Sequence, residues 1–203
     1  SLDGDGEGIY LYDSSGGLVD SVEFGRQVAD KSISRFFNTE WCLSEPTPRD
    51  EMIRATVVGE QEVCINEWMA NPEVSFEEDY VELYNGGDYP AAIGGMYLSD
   101  DTIYEPDKSR IGELSFIDAK GYAVLKADGE LGFGLDRRGE IVGLYDDELG
   151  YVDKVIYHTQ GKDVSMGRAG DGSEDIVCFE VGTPGIANYI SDANGYPKPV
   201  NRA

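Results

Sequence analysis

Residues 2–35 align without a gap on residues 135–168, and this internal repeat constrains the fold more than any other feature of the chain. Leu2, Asp3, Gly6, Glu7, Leu11, Tyr12, Asp13, Gly17, Val19, Asp20, Val22, Gln27, Asp30, Ser32 and Arg35 each meet an identical residue at an offset of 133, ending with Asp163, Ser165 and Arg168. Past a three-residue gap, Cys42 aligns with Cys178 and Thr47-Pro48 with Thr183-Pro184. The second copy follows some 70 residues, 62–134, that have no counterpart before Leu2. The division expected is the back half of a unit over 1–48, a joining stretch over 49–61, a complete unit over 62–190 and a turn-rich exit linker over 191–203. The chain reads as a piece of a longer protein in which the front half of the first unit lies elsewhere.

Both copies read as strands separated by turns. Thirteen Tyr, 26 Gly and eight Pro favour strand and turn over helix. Short segments with alternating apolar residues predict strands at 62–69, 79–85, 91–98, 121–126, 140–146, 150–157 and 176–181 of the complete unit, and at 7–13, 17–24 and 40–43 of the half unit. Within 79–85, Val81 and Leu83 share one face and Glu82 and Tyr84 the other. Asp13–Gly17 and Asp146–Gly150 read as hairpin turns. No helical period persists for more than a turn or two, so the class is all-β and the architecture a sandwich.

Charge narrows the partners. Forty acidic residues against 16 basic ones give a formal net charge of -24. Such a surface repels phosphate backbones and anionic lipid, so nucleic acid is not an expected partner. No apolar run of about 18 residues is present to span a membrane. The acidity serves solubility on one reading, and divalent-cation binding on the other.

The run Ile65-Asn66-Glu67-Trp68-Met69-Ala70-Asn71-Pro72, then Asp79-Tyr80-Val81-Glu82-Leu83-Tyr84-Asn85, resembles the opening of bacterial and archaeal lamin tail domains. Gly95-Met96-Tyr97-Leu98-Ser99-Asp100-Asp101 and the closing Thr183-Pro184-Gly185-Ile186-Ala187-Asn188 follow in the family's order. Met96 replaces the usual aromatic, and Arg49 stands for the Gly of the Thr-Pro-Gly turn in the half unit. The resemblance implies an immunoglobulin-like sandwich with an extra half-sandwich at the N-terminus. It also implies an extracytoplasmic, secreted or cell-surface setting, where similar modules accompany hydrolases and serve attachment to a protein or surface polymer. A ligand does not follow from such kinship.

No catalytic constellation is expected. His158 is the single histidine; its half-unit equivalent is Gly25, and the expectation is an exposed residue at a strand end. Cofactors are expected to be none, with calcium the alternative. Its candidate ligands are Asp3, Asp5 and Glu7, which imitate the start of a calcium loop, and Asp100, Asp101 and Asp107 in the longest loop. Asn66, Glu67, Glu82 and Asn85 interrupt strand patterns; they are expected to face outward or to bond at an edge, the alternative being a polar network or ion site. Asp30, Ser32 and Arg35, with Asp163, Ser165 and Arg168, are read as a structural loop lock in which an Arg–carboxylate fork pins a loop.

Cys64 and Cys178 lie near the first and last strands of the complete unit, and a disulfide between them is expected if those strands meet. The function expected is a non-catalytic binding or structural module. The alternatives are a targeting appendage of a secreted nuclease- or phosphoesterase-type hydrolase, and a calcium-dependent adhesion module. An unclosed half unit has open apolar surface and open edges, so it should dock on the complete unit or self-associate.

Overall fold

A computed structural model describes residues 2–37, 40–191 and 197–198. The half unit carries β1 (Glu7–Tyr12), β2 (Leu18–Phe24), β3 (Ser32–Phe36) and β4 (Glu40–Glu45). The joining stretch adds β5 (Ile53–Arg54) and a 3-10 turn at Glu60–Glu62. The complete unit carries β6 (Val63–Met69), β7 (Tyr80–Asn85), β8 (Ala91–Ala92), β9 (Tyr97–Ser99), β10 (Ser109–Arg110), β11 (Phe116–Ile117), β12 (Tyr122–Lys126), β13 (Ile141–Tyr145), β14 (Tyr151–Ile156), β15 (Ser165–Arg168) and β16 (Ile176–Phe179). A short pair, β17 (Ile190–Ser191) with β18 (Pro197–Lys198), follows. Most of the expected exit linker over 191–203, namely 192–196 and 199–203, lies outside the described residues. No helix among the described residues is long and apolar enough to cross a membrane.

The complete unit is a sandwich of a five-stranded antiparallel sheet, β12-β7-β6-β15-β16, and a four-stranded one, β10-β9-β13-β14. Strand alternation explains its core. Ile65, Trp68, Val81, Leu83, Ala123 and Leu125 of the first sheet meet Leu98, Val142, Leu144 and Val155 of the second in one buried cluster. A bulge between Ile65 and Glu67 leaves Asn66 unpaired with β7 and resets the alternation. Val63 and Ile65 therefore face the core before the bulge, and Trp68 and Ala70 after it. Most expected strands are present, but the one expected over 91–98 is two, β8 and β9, in different sheets, and β3, β5, β10, β11 and β15 were not foreseen. Ser165-Met166-Gly167-Arg168 has no apolar alternation, yet β15 lies between β6 and β16.

That position corrects the disulfide expectation. Cys64 and Cys178 lie on β6 and β16, and two inter-strand spacings separate those strands by about 9.6 Å. A bridge needs Cα atoms within about 7 Å. Register adds to the gap: Cys178 lies level with Met166 and hence with Trp68, four residues from Cys64. All three cysteines are free. The alignment of Cys42 with Cys178 is also shifted by one residue in the sheet. Cys42 pairs with Ser34 and Cys178 with Met166, so the counterpart of Cys178 is Leu43 and that of Cys42 is Val177. Further along, the turns realign: Arg49 and Gly185 both take left-handed backbone, at φ 67° and 82°.

The repeat is otherwise matched in detail. The β1–β2 hairpin bulges between Leu11 and Tyr12, and β13–β14 between Leu144 and Tyr145. Asp13 and Asp146 each accept turn amides through Oδ1, as the predicted hairpin turns require. Asp30 and Asp163 share a left-handed φ of 56° and 54°.

The half unit docks on the complete unit through a small core of Val28, Leu43 and Phe116. Backbone bonds from Gly25 N–H to Glu113 O (2.9 Å) and from Phe116 N–H to Arg26 O (2.8 Å) hold this seam. A Cβ at Gly25 would lie 1.9 Å from Ser115 Oγ, so a larger residue would turn that hydroxyl off its bond to Gly112 O. The joining stretch is more than a linker: β5 pairs with β4, and Val58 bridges Ala91.

Candidate functional site

Two features stand out: a buried carboxylate network on the outer face of the five-stranded sheet, and an open groove in the half unit.

The network starts from polar residues that the bulge and β7 turn away from the apolar core. Asn66, Glu67, Glu82 and Asn85 are fully buried, which corrects the expectation that they face outward. Segments 171–173 and 183–188 cover Asn66, Glu67 and Glu82. Glu67 accepts from Tyr80 Oη–H (2.7 Å), from Thr183 N–H (2.9 Å) and from Thr183 Oγ1–H (2.6 Å). Glu82 accepts from Asn66 Nδ2–H (3.0 Å) and Gly185 N–H (2.5 Å). Asp171 accepts from Asn66 Nδ2–H (3.0 Å), Asn188 N–H (3.0 Å) and Tyr122 Oη–H (2.7 Å). Asn188 Nδ2–H donates to Asn66 O and Arg168 O at 3.2 and 2.8 Å. Asn85 instead ties the β7 end to Tyr89, Ile117 and Asp118 carbonyls. Burial pushes the Glu82 carboxyl up to about 8; the Asn66 and Gly185 bonds oppose this, and the neighbouring Glu67 and Asp171 add to it. Burial and Glu67 likewise raise the Tyr80 phenol. These hydrogen bonds stitch the closing segment to the opening strands. Thr183 and Asn188 belong to the closing run 183–188 that the sequence singled out, whereas nothing in sequence pointed to Asp171, since it bonds Asn66 across more than 100 residues.

The loop lock takes a different form from the one expected. Ser165 and Arg168 lie on β15, and Ser32 and Arg35 on β3, so neither set is a loop. The arginines pair with Asp153 and Asp20 instead of Asp163 and Asp30, both at 2.7 Å. Between them Arg168 and Asp153 clamp the backbone of β6: Ile65 N–H donates to Asp153 Oδ2 (2.8 Å), and Arg168 Nε–H donates to Ile65 O (2.8 Å). Asp163 Oδ1 separately accepts the amides of Glu73, Val74 and Ser75, each at 2.9 Å, which holds its carboxyl down at about 2. Gln160 clamps β6 again, accepting from Ala70 N–H (2.6 Å) and donating to Trp68 O (3.3 Å). Ser32 shares hydroxyl bonds with Ser44, while Ser165 Oγ is buried and unpaired.

The calcium candidates are placed as follows. Glu7 accepts the Asp3 amide and Asp3 accepts the Asp5 amide, while Asp5 pairs with Arg26. The second copy closes the same turn, with Asp136 N–H on Glu140. Asp100 pairs with Lys108, Asp101 accepts the Tyr104 amide, and Asp107 is exposed. Among the described residues no three acidic, Cys or His side chains are grouped to hold a metal ion. His158 is exposed beyond β14, as expected.

The groove lies between the β1–β2 hairpin and β3–β4, about 570 Å³ in volume and lined by Leu2, Ile9, Leu11, Val22, Ile33 and Trp41 among others. Leu2, Ile9 and Leu11 are 64%, 43% and 58% exposed, whereas their counterparts Leu135, Val142 and Leu144 are 7%, 0% and 0% exposed. These exposed apolar side chains make the groove a candidate site for contact with another molecule. Compared with family models, with curated proteins and with solved structures, the chain finds no match in any of the three.

Proposed function

We propose that the chain is a non-catalytic binding module, of immunoglobulin-like and lamin-tail-like type, that attaches a larger extracytoplasmic protein to a protein partner. The observation that carries this reading is the open apolar groove of the half unit. The buried carboxylates support it from the other side, because their hydrogen bonds go to the chain's own closing segment. A nucleophile, its base and an orienting third group would need a different arrangement around His158, which stands alone in solvent.

A photo-crosslinking side chain at Leu11 tests the reading in intact producing cells, with Leu149, a similarly exposed apolar residue outside the groove, as control. Crosslinking to polypeptide from position 11 and not from 149 is expected. Equal yields at both positions, or turnover of phosphodiester, ester or glycoside substrates by the purified chain, would overturn it.

A further inference from the structure

We infer that the half unit is a strand-acceptor site whose occupant is the front half of a further unit of the same repeat, entering along the free edge of β3. This rests on the binding-module reading and names the partner's chemistry. The molecule itself shows what covers the equivalent face. In the complete unit, β15 pairs with β16 on one side and with β6 on the other; in the half unit, β3 pairs with β4 alone and is the sheet's edge. The vacant edge is therefore the one that β6 fills in the second copy, and strand addition to such an edge is a recurring mode of peptide recognition.

The clamp for that strand is already assembled. Arg35 and Asp20 stand at the same 2.7 Å as Arg168 and Asp153. With no strand over them, their side chains are 30% and 44% exposed, against 11% and 17% for the occupied pair. Arg35 is further fixed by stacking over the Trp41 ring, 4.4 Å from its centroid. The donor's residue equivalent to Ile65 would give its N–H to Asp20 and accept from Arg35, and its apolar side chains would enter the groove of Ile9, Leu11 and Val22. Asp30 is exposed and holds the backbone conformation that Asp163 uses to gather three amides. Thr47 opens the same turn as Thr183, its carbonyl accepting from Asp50 N–H as that of Thr183 does from Ile186 N–H, both at 3.1 Å, and a donor glutamate would meet it as Glu67 meets Thr183. Two parts of the set differ: Gln27 gives its amide to Leu114 across the seam, and Met52 stands at the position of Asn188, which bonds Asn66 O. Residues 62–134 of the same molecule already close the 135–190 back half, so the donor is another copy of the repeat.

The probe is a synthetic peptide of residues 61–72 with Cys64→Ser, added to the full chain, against a scrambled peptide and one N-methylated at Ile65. The expected result is saturable binding with slowed hydrogen exchange in β3. N-methylation, which removes the amide that Asp20 accepts, should weaken binding by about tenfold or more, as should Arg35→Ala in the protein. The peptide variant leaves the protein's folding untouched. Equal binding of the three peptides, absence of binding, protection confined to β15, or a dimer whose β3 edge is already protected would overturn the inference. Failure of the peptide with crosslinking intact at Leu11 removes this partner alone; equal crosslinking at Leu11 and Leu149 removes the binding-module reading and this partner with it.

Discussion

Glu82 shows how far a single side chain departs from what its neighbours in sequence suggest. Alternation correctly placed it opposite Val81 and Leu83, but an outer strand face was expected to be wet. It is dry because segments some 90 to 105 residues further on fold over it, a relation that no local pattern carries. The carboxyl, ordinarily near 4.5, is raised to about 8 in the folded chain, chiefly by burial. Between those values the folded state holds a proton that the unfolded state has released, so this contribution to stability is complete below about pH 4.5 and is lost as pH rises through about 8. At about 1.4 kcal/mol for each tenfold change in proton affinity, the loss is a few kcal/mol. Urea midpoints measured from pH 5 to 9 should fall accordingly. Glu82→Gln should flatten that slope, and should cost about 1–2 kcal/mol at pH 5, because its amide meets the Asn66 or Gly185 donor. An unchanged slope in the variant would assign the pH dependence to other groups, such as Asp79 and Glu140, whose carboxyls burial also raises.

At the level of elements, strands were legible wherever apolar residues alternate, as in β6, β7 and β12–β14. They were illegible where a strand is small and polar. β15 and β3 are held by their neighbours and by the arginine that each carries, so their sequences read as loops. Missing β15 also made Cys64 and Cys178 seem adjacent. The corrected order predicts that the chain's mass is the same with and without reductant and that no cysteine is bridged. Native alkylation should label exposed Cys178 first. Cys64, whose thiol burial pushes up to about 11, should react at least tenfold more slowly than it does in the unfolded chain. Labelling Cys64 and Cys178 equally fast in the native protein would contradict this arrangement.

For the whole molecule, the gapless repeat led to a reading of one and a half units, and bulges, turns and Arg–Asp pairs recur at aligned positions of the two copies. The seam was not legible, because Val28, Leu43 and Phe116 are far apart in sequence and Gly25 differs from its counterpart His158. The half unit lacks a core of its own, so its local stability should depend on that seam. Gly25→Ala places a methyl carbon 1.9 Å from Ser115 Oγ. Such overpacking costs about 1–3 kcal/mol, so amide exchange in β1–β4 should quicken by about five- to a hundredfold while β6 and β7 keep their protection. Uniform acceleration across both units would mean that they unfold as one. Between the units only residues 55–57 separate β5 from the Val58–Ala91 bridge, and Ala55 N–H is itself held by Leu43 O. A protein built from several such units would be a stiff rod with a fixed pitch. Its reach would be counted in copies, and an attachment point at its tip would stand at a set height above whatever anchors its base.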